Sequence, residues 1–496
     1  MPFSAASKPP RFAVVDVGSN SVRLVVFEGA TRNPLPIFNE KAVLRLGHGL
    51  ESTGRLAESA MAETLKILRR YHAIARAMGV VVMEVLATSA VREASNSADF
   101  VAEMKNTLPG IAVRVLSGTE EAALSAAGVL CGIPTADGVL ADIGGGSLEL
   151  VRLYAGRAGA TATLPLGVIR LSERANGDPG RARGLAEADL AKVAWLGEGT
   201  GKDLYLVGGA WRALARIHIT QTGYPLAIVH HYAIRREEAR DLAGVIAGAG
   251  RRALERLPGV SRRRIDDLPF AAVVLRRLLR AAQPRRVVFS ANGLREGWYW
   301  QRLSPEIQAE DPLLAAAQEF AEALGRDSNL PETLSDWTDP LFPEEDALSR
   351  KLRKAACWMS DIGAREHPEY RAEHAFFRVL RQPGVGLDHP TRAFLALAVA
   401  LRYEAQPDAP FLSPARRLLD VASTNRAEVL GFALRLAYTL SAGTPDLLAG
   451  TRLAVNGRQL LLRLDESGGV FAGEAVLRRL DRLAQALGLE PAVKAF

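Results

Sequence analysis

Phe12-Ala-Val-Val-Asp16-Val-Gly18-Ser19-Asn20-Ser21, running on into Val22-Arg-Leu-Val-Val-Phe27, decides how the whole chain is read. An apolar run of β-formers ends in a carboxylate, a turn of small residues follows, and a second β-rich run begins at once. This is a buried hairpin whose turn sets an acid beside several backbone N–H groups. The pattern returns at Gly138-Val-Leu-Ala-Asp142-Ile-Gly144-Gly145-Gly146-Ser147, followed by Leu148-Glu149-Leu-Val-Arg-Leu153. Two matching hairpins, 126 residues apart from aspartate to aspartate, predict a duplication. The chain is expected to carry two similar α/β lobes, residues 1–132 and 133–304, facing one another.

The intervening segments suit such lobes. Helical patterns run over 56–78 and 120–130 and strand patterns over 80–87 and 112–116; in the second lobe, 202–207 and 286–289 read as strands. From about Pro305 the texture changes to leucine-, alanine- and arginine-rich helical repeats. These define a helical domain at 305–412, with the acidic, proline-containing stretch 331–346 read as a loop. The tail, 413–496, reads as a small α+β domain. Its strands, 452–455 and 459–464, flank Asn456-Gly457, a strong hairpin signal, and an amphipathic helix over 473–487 follows.

At 496 residues the chain exceeds a single core. Its 48% hydrophobic and 24% charged residues are ordinary for a globular protein. Apolar stretches such as 270–275 are broken by arginine well short of a membrane span, so no membrane partner is expected. Met1 to Arg11 has neither a signal-peptide nor a lipidation pattern and reads as a short disordered lead. The two cysteines, Cys131 and Cys357, offer neither a disulfide framework nor a cysteine zinc site, and a cytoplasmic location follows by default. The net charge is +7, and between Arg251 and Trp300 twelve arginines face four acids. Arginine forks match phosphate oxygens, so one reading is a surface for a polyanion; the other is a solvated helix face. On charge alone nucleic acid fits as well as any other polyanion.

The hairpin turns settle the chemistry further. Glycine lets phosphate oxygens approach the main chain, the N–H nest supplies donors, and the aspartate can hold a magnesium ion that bridges phosphates. One such hairpin is a weak signal; two make a two-sided phosphate clamp. Within Ser117-Gly-Thr-Glu120-Glu121, Ser117 and Glu120 fit a helix capping box. Glu121, one residue on, points about 100° around the helix and is free to face the cleft.

Five motifs in order carry a resemblance to a known family. They are Asp16-Val-Gly-Ser-Asn20-Ser21, Thr88-Ser-Ala-Val-Arg92-Glu-Ala-Ser-Asn96, Ser117-Gly-Thr-Glu120-Glu121, Asp142-Ile-Gly-Gly-Gly-Ser147 with Glu149, and Val207-Gly208-Gly209. Over residues 11–300 the chain resembles the exopolyphosphatase / guanosine pentaphosphate phosphohydrolase family. Leu148, where the family usually has threonine, and Trp211, after the glycine pair, depart from the pattern. The resemblance implies a duplicated actin-like (ribonuclease H-like) fold, Mg2+ dependence (Mn2+ as a substitute, a monovalent cation such as K+ as an addition) and release of a terminal phosphate. It makes Glu121 the residue that orients and deprotonates the attacking water. Arg92 would grip a phosphate, and Asn20 with Ser19 would donate to phosphate or orient the nucleophile. Gly18, Gly144, Gly145, Gly146 and Ser147 belong to the two phosphate turns, and Gly208 and Gly209 let a further loop approach the substrate. Asp142 and Glu149 are the metal-ligand candidates, with Asp16 acting through water.

Other signals lead elsewhere or nowhere. Gly199-Thr-Gly201-Lys202-Asp203 fails as a P-loop because Leu196 occupies a required position and no Ser/Thr follows the lysine. His230-His231 lacks metal-binding company. The region from 305 resembles the HD-type helical domain of longer family members, but Met359-Ser360-Asp361 and His374 make a degenerate metal site there. Arg365, Arg371, Arg378, Arg381 and Arg402 either line a path for a long anion or form a solvated face. The leading expectation is therefore an exopolyphosphatase acting on inorganic polyphosphate, with no nucleic-acid partner. The alternatives are a guanosine pentaphosphate (pppGpp) 5′-phosphohydrolase, with ppGpp as a related ligand, and an actin-like nucleotide-binding regulatory protein. Apolar helical faces beyond residue 305 leave a homodimer open.

Overall fold

A computed structural model describes residues 9–465 and 472–495; the expected disordered lead falls largely on residues 1–8, outside the described residues. Contacts divide the chain into two compact units, residues 1–309 and 310–496.

The first unit holds two sheets of one plan. Strands β1 (Arg11–Val17), β2 (Ser21–Glu28), β3 (Leu35–Val43), β4 (Val80–Ala87) and β5 (Ala112–Val115) form a sheet in the order β3-β2-β1-β4-β5. Strands β6 (Gly138–Ile143), β7 (Leu148–Tyr154), β8 (Arg157–Leu164), β9 (Asp203–Val207), β10 (Tyr232–Arg235) and β11 (Arg286–Phe289) form the second, in the order β10-β11-β9-β6-β7-β8. Both begin with an antiparallel meander whose first strand then pairs in parallel with a later one, β1 with β4 and β6 with β9. The second sheet adds one antiparallel edge strand, β10. This is the expected actin-like duplication. The central strands read as near-continuous apolar runs because helices cover both faces: Ala13, Val15, Leu24 and Val85 pack with Leu65 and Leu68 in one core, and Ala141, Leu150, Leu204 and Leu206 pack with Trp211 and Leu275 in the other.

The lobes are laced rather than simply apposed. Helix Gly118–Gly132, which precedes the second hairpin, packs its Ala122, Ala126 and Val129 against Leu140, Val151 and Tyr205 of the second sheet. Helix Leu294–Trp300, at the end of the second lobe, returns to the first and buries Trp298 and Tyr299 with Val14, Phe27 and Leu86. The two helices cross where Gly128 and Gly297 leave no room: a Cβ on Gly297 would land on the Leu124 carbonyl and one on Gly128 on the Gly293 carbonyl. Overpacking of this kind costs about 1–3 kcal/mol. Gly297→Val is expected to lower the unfolding free energy by that amount, read as a lower urea midpoint at unchanged m, and to displace the helix that carries Glu121.

In the second unit, helices Pro312–Leu324, Ala347–Met359, Arg371–Leu380, His389–Arg402 and Val421–Ser441 form a helical layer. Helix Val421–Ser441 packs on His389–Arg402, so that layer runs through residue 413. A three-stranded sheet of Thr451–Asn456, Gln459–Leu464 and Glu490–Ala495 follows, with helix Glu474–Leu487 between the last two strands. The stretch read as a loop at 331–346 is instead largely ordered: helix Leu330–Thr338 takes Pro331 in its first turn, where the missing N–H is harmless, and buries Leu330, Leu334 and Trp337. Among the described residues no helix is long and apolar enough to cross a membrane.

Candidate active site

The two hairpin turns close with the same hydrogen bond, Gly18 N to Ser21 O at 3.1 Å and Gly144 N to Ser147 O at 3.0 Å. Register then places Arg23 directly across from Asp16, and Glu149 directly across from Asp142. The duplicated hairpins therefore carry opposite charges at equivalent positions. A cavity of about 150 Å³ lies between them. Asp16, Gly18, Ser19, Asn20, Glu121, Asp142, Gly144, Gly145, Gly208 and Gly209 all line it. Gly208, at φ 118°, holds a backbone conformation that side chains rarely adopt, and a Cβ there would meet the Ile143 carbonyl. Four expected residues stand behind the wall. Gly146 lines a neighbouring cavity, Ser147 and Glu149 are buried, and Arg92 reaches inward to another side chain.

That side chain is Glu121. Ser117 caps the helix, its Oγ accepting from Glu120 N at 3.1 Å while Glu120 Oε2 accepts from Ser117 N at 2.8 Å. Glu120 is thereby fixed at the surface and Glu121 is turned inward, 8% exposed. Arg92 Nη1 donates to Glu121 Oε2 at 2.9 Å and to the Leu116 carbonyl at 2.8 Å. Burial outweighs this pairing, and with Asp142 and Asp16 nearby the Glu121 carboxyl is pushed up to about 7. Arg92 orients the glutamate rather than lining the cavity.

Half-buried Asp142 and buried Glu149 face each other across one strand pair; desolvation raises both, with Glu121 and Asp142 adding to the rise at Glu149 and Asp16 adding to that at Asp142. Like charges directly opposite on a sheet destabilise each other. Ser125 Oγ donates to Asp142 Oδ2, whereas Glu149 Oε1 and Ser147 Oγ are buried without a protein partner. A divalent ion would relieve this pair. Asp16 is held apart from it by Arg295, whose Nη1 donates to Asp16 Oδ2 at 3.3 Å. Among the described residues no group of three or more His, Cys, Asp or Glu side chains could hold a metal ion. Asp142, Glu149 and Asp16 are thus no three-ligand cage, and a metal at the first two would draw its remaining ligands from water and substrate, as magnesium commonly does.

Reading the motifs missed the cations. Arg23, Lys41, Arg212, Arg264 and Arg295 line the same cavity. Burial and mutual repulsion depress Lys41 to about 8 and Arg23 and Arg212 to about 10. Arg23 was findable, since it stands seven residues after Asp16 as Glu149 stands seven after Asp142. Arg264 and Arg295 lie in the arginine-rich segment 251–300. Nothing in the sequence marks Lys41.

The residues read as a degenerate metal site are held by ion pairs and hydrogen bonds. Asp361 accepts from Arg326 Nε and Nη2, both at 2.8 Å, and from Arg402 Nη2 at 3.4 Å. Ser360 bonds the Tyr438 hydroxyl at 2.9 Å. Of the arginines considered for a polyanion path, Arg402 is buried against Tyr403 and Tyr438, Arg371 lies over Tyr403, Arg381 over Phe377, and Arg378 pairs with Glu366.

Two α/β sheets of this order, with hairpin turns meeting over a shared cavity, are the architecture of actin-like phosphate-handling enzymes. The chain belongs to the Ppx/GppA phosphatase family, which it matches over residues 25–306. Residues 313–493 match the C-terminal domain of exopolyphosphatases. It is similar to Exopolyphosphatase 1 of Mycobacterium leprae, 30% identical over 60% of this chain and 90% of that protein. It is also similar to Retrograde regulation protein 2 of Saccharomyces cerevisiae, 26% identical over 79% of this chain and 72% of that one. Among solved structures, an exopolyphosphatase from Cytophaga hutchinsonii superposes with a TM-score of 0.54 at 25% identity, covering 59% of this chain and 97% of its own. The Aquifex aeolicus PPX-GPPA enzyme does so with 0.51 at 25%, covering 59% and 99%. The chain is thus a phosphatase.

Proposed function

We propose that this protein is an exopolyphosphatase, releasing orthophosphate from the end of inorganic polyphosphate by attack of water. One observation carries the choice: five cationic side chains crowd a cavity of about 150 Å³, and burial together with their repulsion depresses Lys41, Arg23 and Arg212. A single phosphoryl group does not need so many; a chain bearing a charge on every phosphate does. The terminal phosphoryl group sits between the Gly18–Asn20 and Gly144–Gly145 turns, whose N–H groups and the Asn20 side chain hold its oxygens. Glu121, kept in place by Arg92, accepts the proton of a water aligned with the scissile bond. Arg212 and Arg295 face the charge that develops on the transferred group. Asp142 and Glu149 would hold magnesium, which when bound neutralises phosphate oxygens.

A second reading, a pppGpp 5′-phosphohydrolase, is favoured by a neighbouring cavity of about 560 Å³ that shares Asn20, Lys41 and Val168 with the first. Val43 and Ile169 offer it an apolar wall and Asp266 and Asp267 offer carboxylates, which suit a nucleoside better than a polyanion. Orthophosphate release with magnesium from long-chain polyphosphate and from pppGpp, run in parallel, decides. kcat/KM is expected to favour polyphosphate at least about tenfold, a difference of about 1.4 kcal/mol in transition-state binding. A preference for the nucleotide would promote the second reading.

A further inference from the structure

The reaction cavity has a further neighbour. This second cavity, of about 260 Å³, is lined by Leu50, Glu51, Glu93, Arg170 and Glu173 among others. Ser19, Ser89 and Gly145 line both cavities, so the wall between them is two serine side chains and a glycine. Ser19 Oγ and Ser89 Oγ meet at 3.0 Å, and that hydrogen bond is the closure. The glycines keep the wall thin: a Cβ on Gly145 would stand 2.9 Å from Ser19 Cβ, and one on Gly146 2.6 Å from Ser89 Oγ.

The far side of the second cavity is fastened by contacts from lobe to lobe. Arg170, on helix Val168–Arg174 of the second lobe, donates to Glu51 Oε2 at 2.8 Å and also pairs with Glu93. Glu173 of the same helix accepts from Gly49 N at 2.8 Å. The two cavities differ in sign. The first sets five cations against the carboxylates of Asp16, Glu121 and Asp142, whereas the second carries three glutamates against one arginine that two of them already neutralise.

We infer that the second cavity is the exit for the orthophosphate product, with the Ser19–Ser89 contact as its inner gate and the Arg170 ion pairs as its outer latch. The inference rests on the hydrolytic reading above. After each cleavage the shortened polyanion stays on the cations of the first cavity and blocks the way by which the substrate came. Orthophosphate can leave at once only by another way, and here the wall is a pair of serine hydroxyls and a glycine, with two hydroxyls to hydrogen-bond the ion as it passes. The glutamates beyond do not retain an anion, so product clears the site while the chain advances.

The test separates bond cleavage from release. Under single-turnover conditions with magnesium and polyphosphate, acid quench reads total cleavage and a fluorescent phosphate sensor reads free orthophosphate. Leu50→Trp fills the second cavity and Arg170→Met unlatches it; neither residue touches the reaction cavity. Cleavage in the quench is expected to stay within about twofold of wild type for both. Sensor release is expected to slow about tenfold or more in Leu50→Trp and to quicken about threefold in Arg170→Met. Should Leu50→Trp fail to fold, Arg170→Met decides alone. Normal cleavage with wild-type release in the folded variants overturns the exit. A wild-type quench showing no cleavage of polyphosphate overturns instead the hydrolytic reading on which the exit depends.

Discussion

Glu121→Gln is expected to lower kcat for orthophosphate release by about 10²–10⁴-fold, the range for losing a positioned general base, while the protein stays folded. The amide keeps the size and the contact with Arg92 but takes no proton. The pH profile gives a second, independent readout. Burial raises the Glu121 carboxyl from its ordinary 4.5 to about 7, and only the ionised form accepts a proton. In the wild type kcat/KM should therefore rise with pH through a limb near 7, and in Glu121→Gln that limb should vanish. Arg92 is the group that holds this value down, so Arg92→Met should move the limb upward. An unchanged limb in Glu121→Gln would assign it to another group and remove Glu121 from the role.

The second large effect concerns Asp142 and Glu149, and it opposes stability to activity. Glu149 is buried, unpartnered at Oε1 and faced by a second, half-buried acid, Asp142. Its folded-state pKa is raised, so the protonated form favours folding. That contribution is full below the unfolded value and is lost as pH rises through the raised folded value. Without divalent metal, Glu149→Gln should thus melt above wild type at pH 8, by about 2 °C for each kcal/mol relieved in a unit of this size. The same change should cost about 10²–10⁴-fold in activity, because a metal supplies several kcal/mol of charge stabilisation. Magnesium should raise the melting temperature of wild type and leave that of the variant nearly fixed. A variant that melts lower without metal and gains as much from magnesium as wild type would contradict this assignment.

Most of this architecture is legible in the sequence because it is written in local patterns. The paired hairpins predict the duplicated sheets, and the helix signals near Ser117 predict the cap that turns Glu121 inward. What is not legible depends on the packing of distant segments. That Arg92 grips Glu121 instead of lining the cavity is set by the course of the chain between residues 88 and 121. Lys41 enters the site only because β3 pairs with β2 in one particular register. Pro331 reads as a loop residue, yet in the first turn of a helix its missing donor costs nothing. The lacing of helices 118–132 and 294–300 rests on Gly128 and Gly297, and neither glycine signals a contact by itself.

Attack of water on the terminal phosphoryl group of polyphosphate is the reaction proposed for this cavity. Hydrolysis in ¹⁸O-labelled water with magnesium, followed by mass analysis of both products, tests it most directly. One labelled oxygen is expected in each released orthophosphate and none in the shortened chain, with the labelled product lost in Glu121→Gln. Label in the remaining chain, or orthophosphate released equally fast without Glu121, would contradict it.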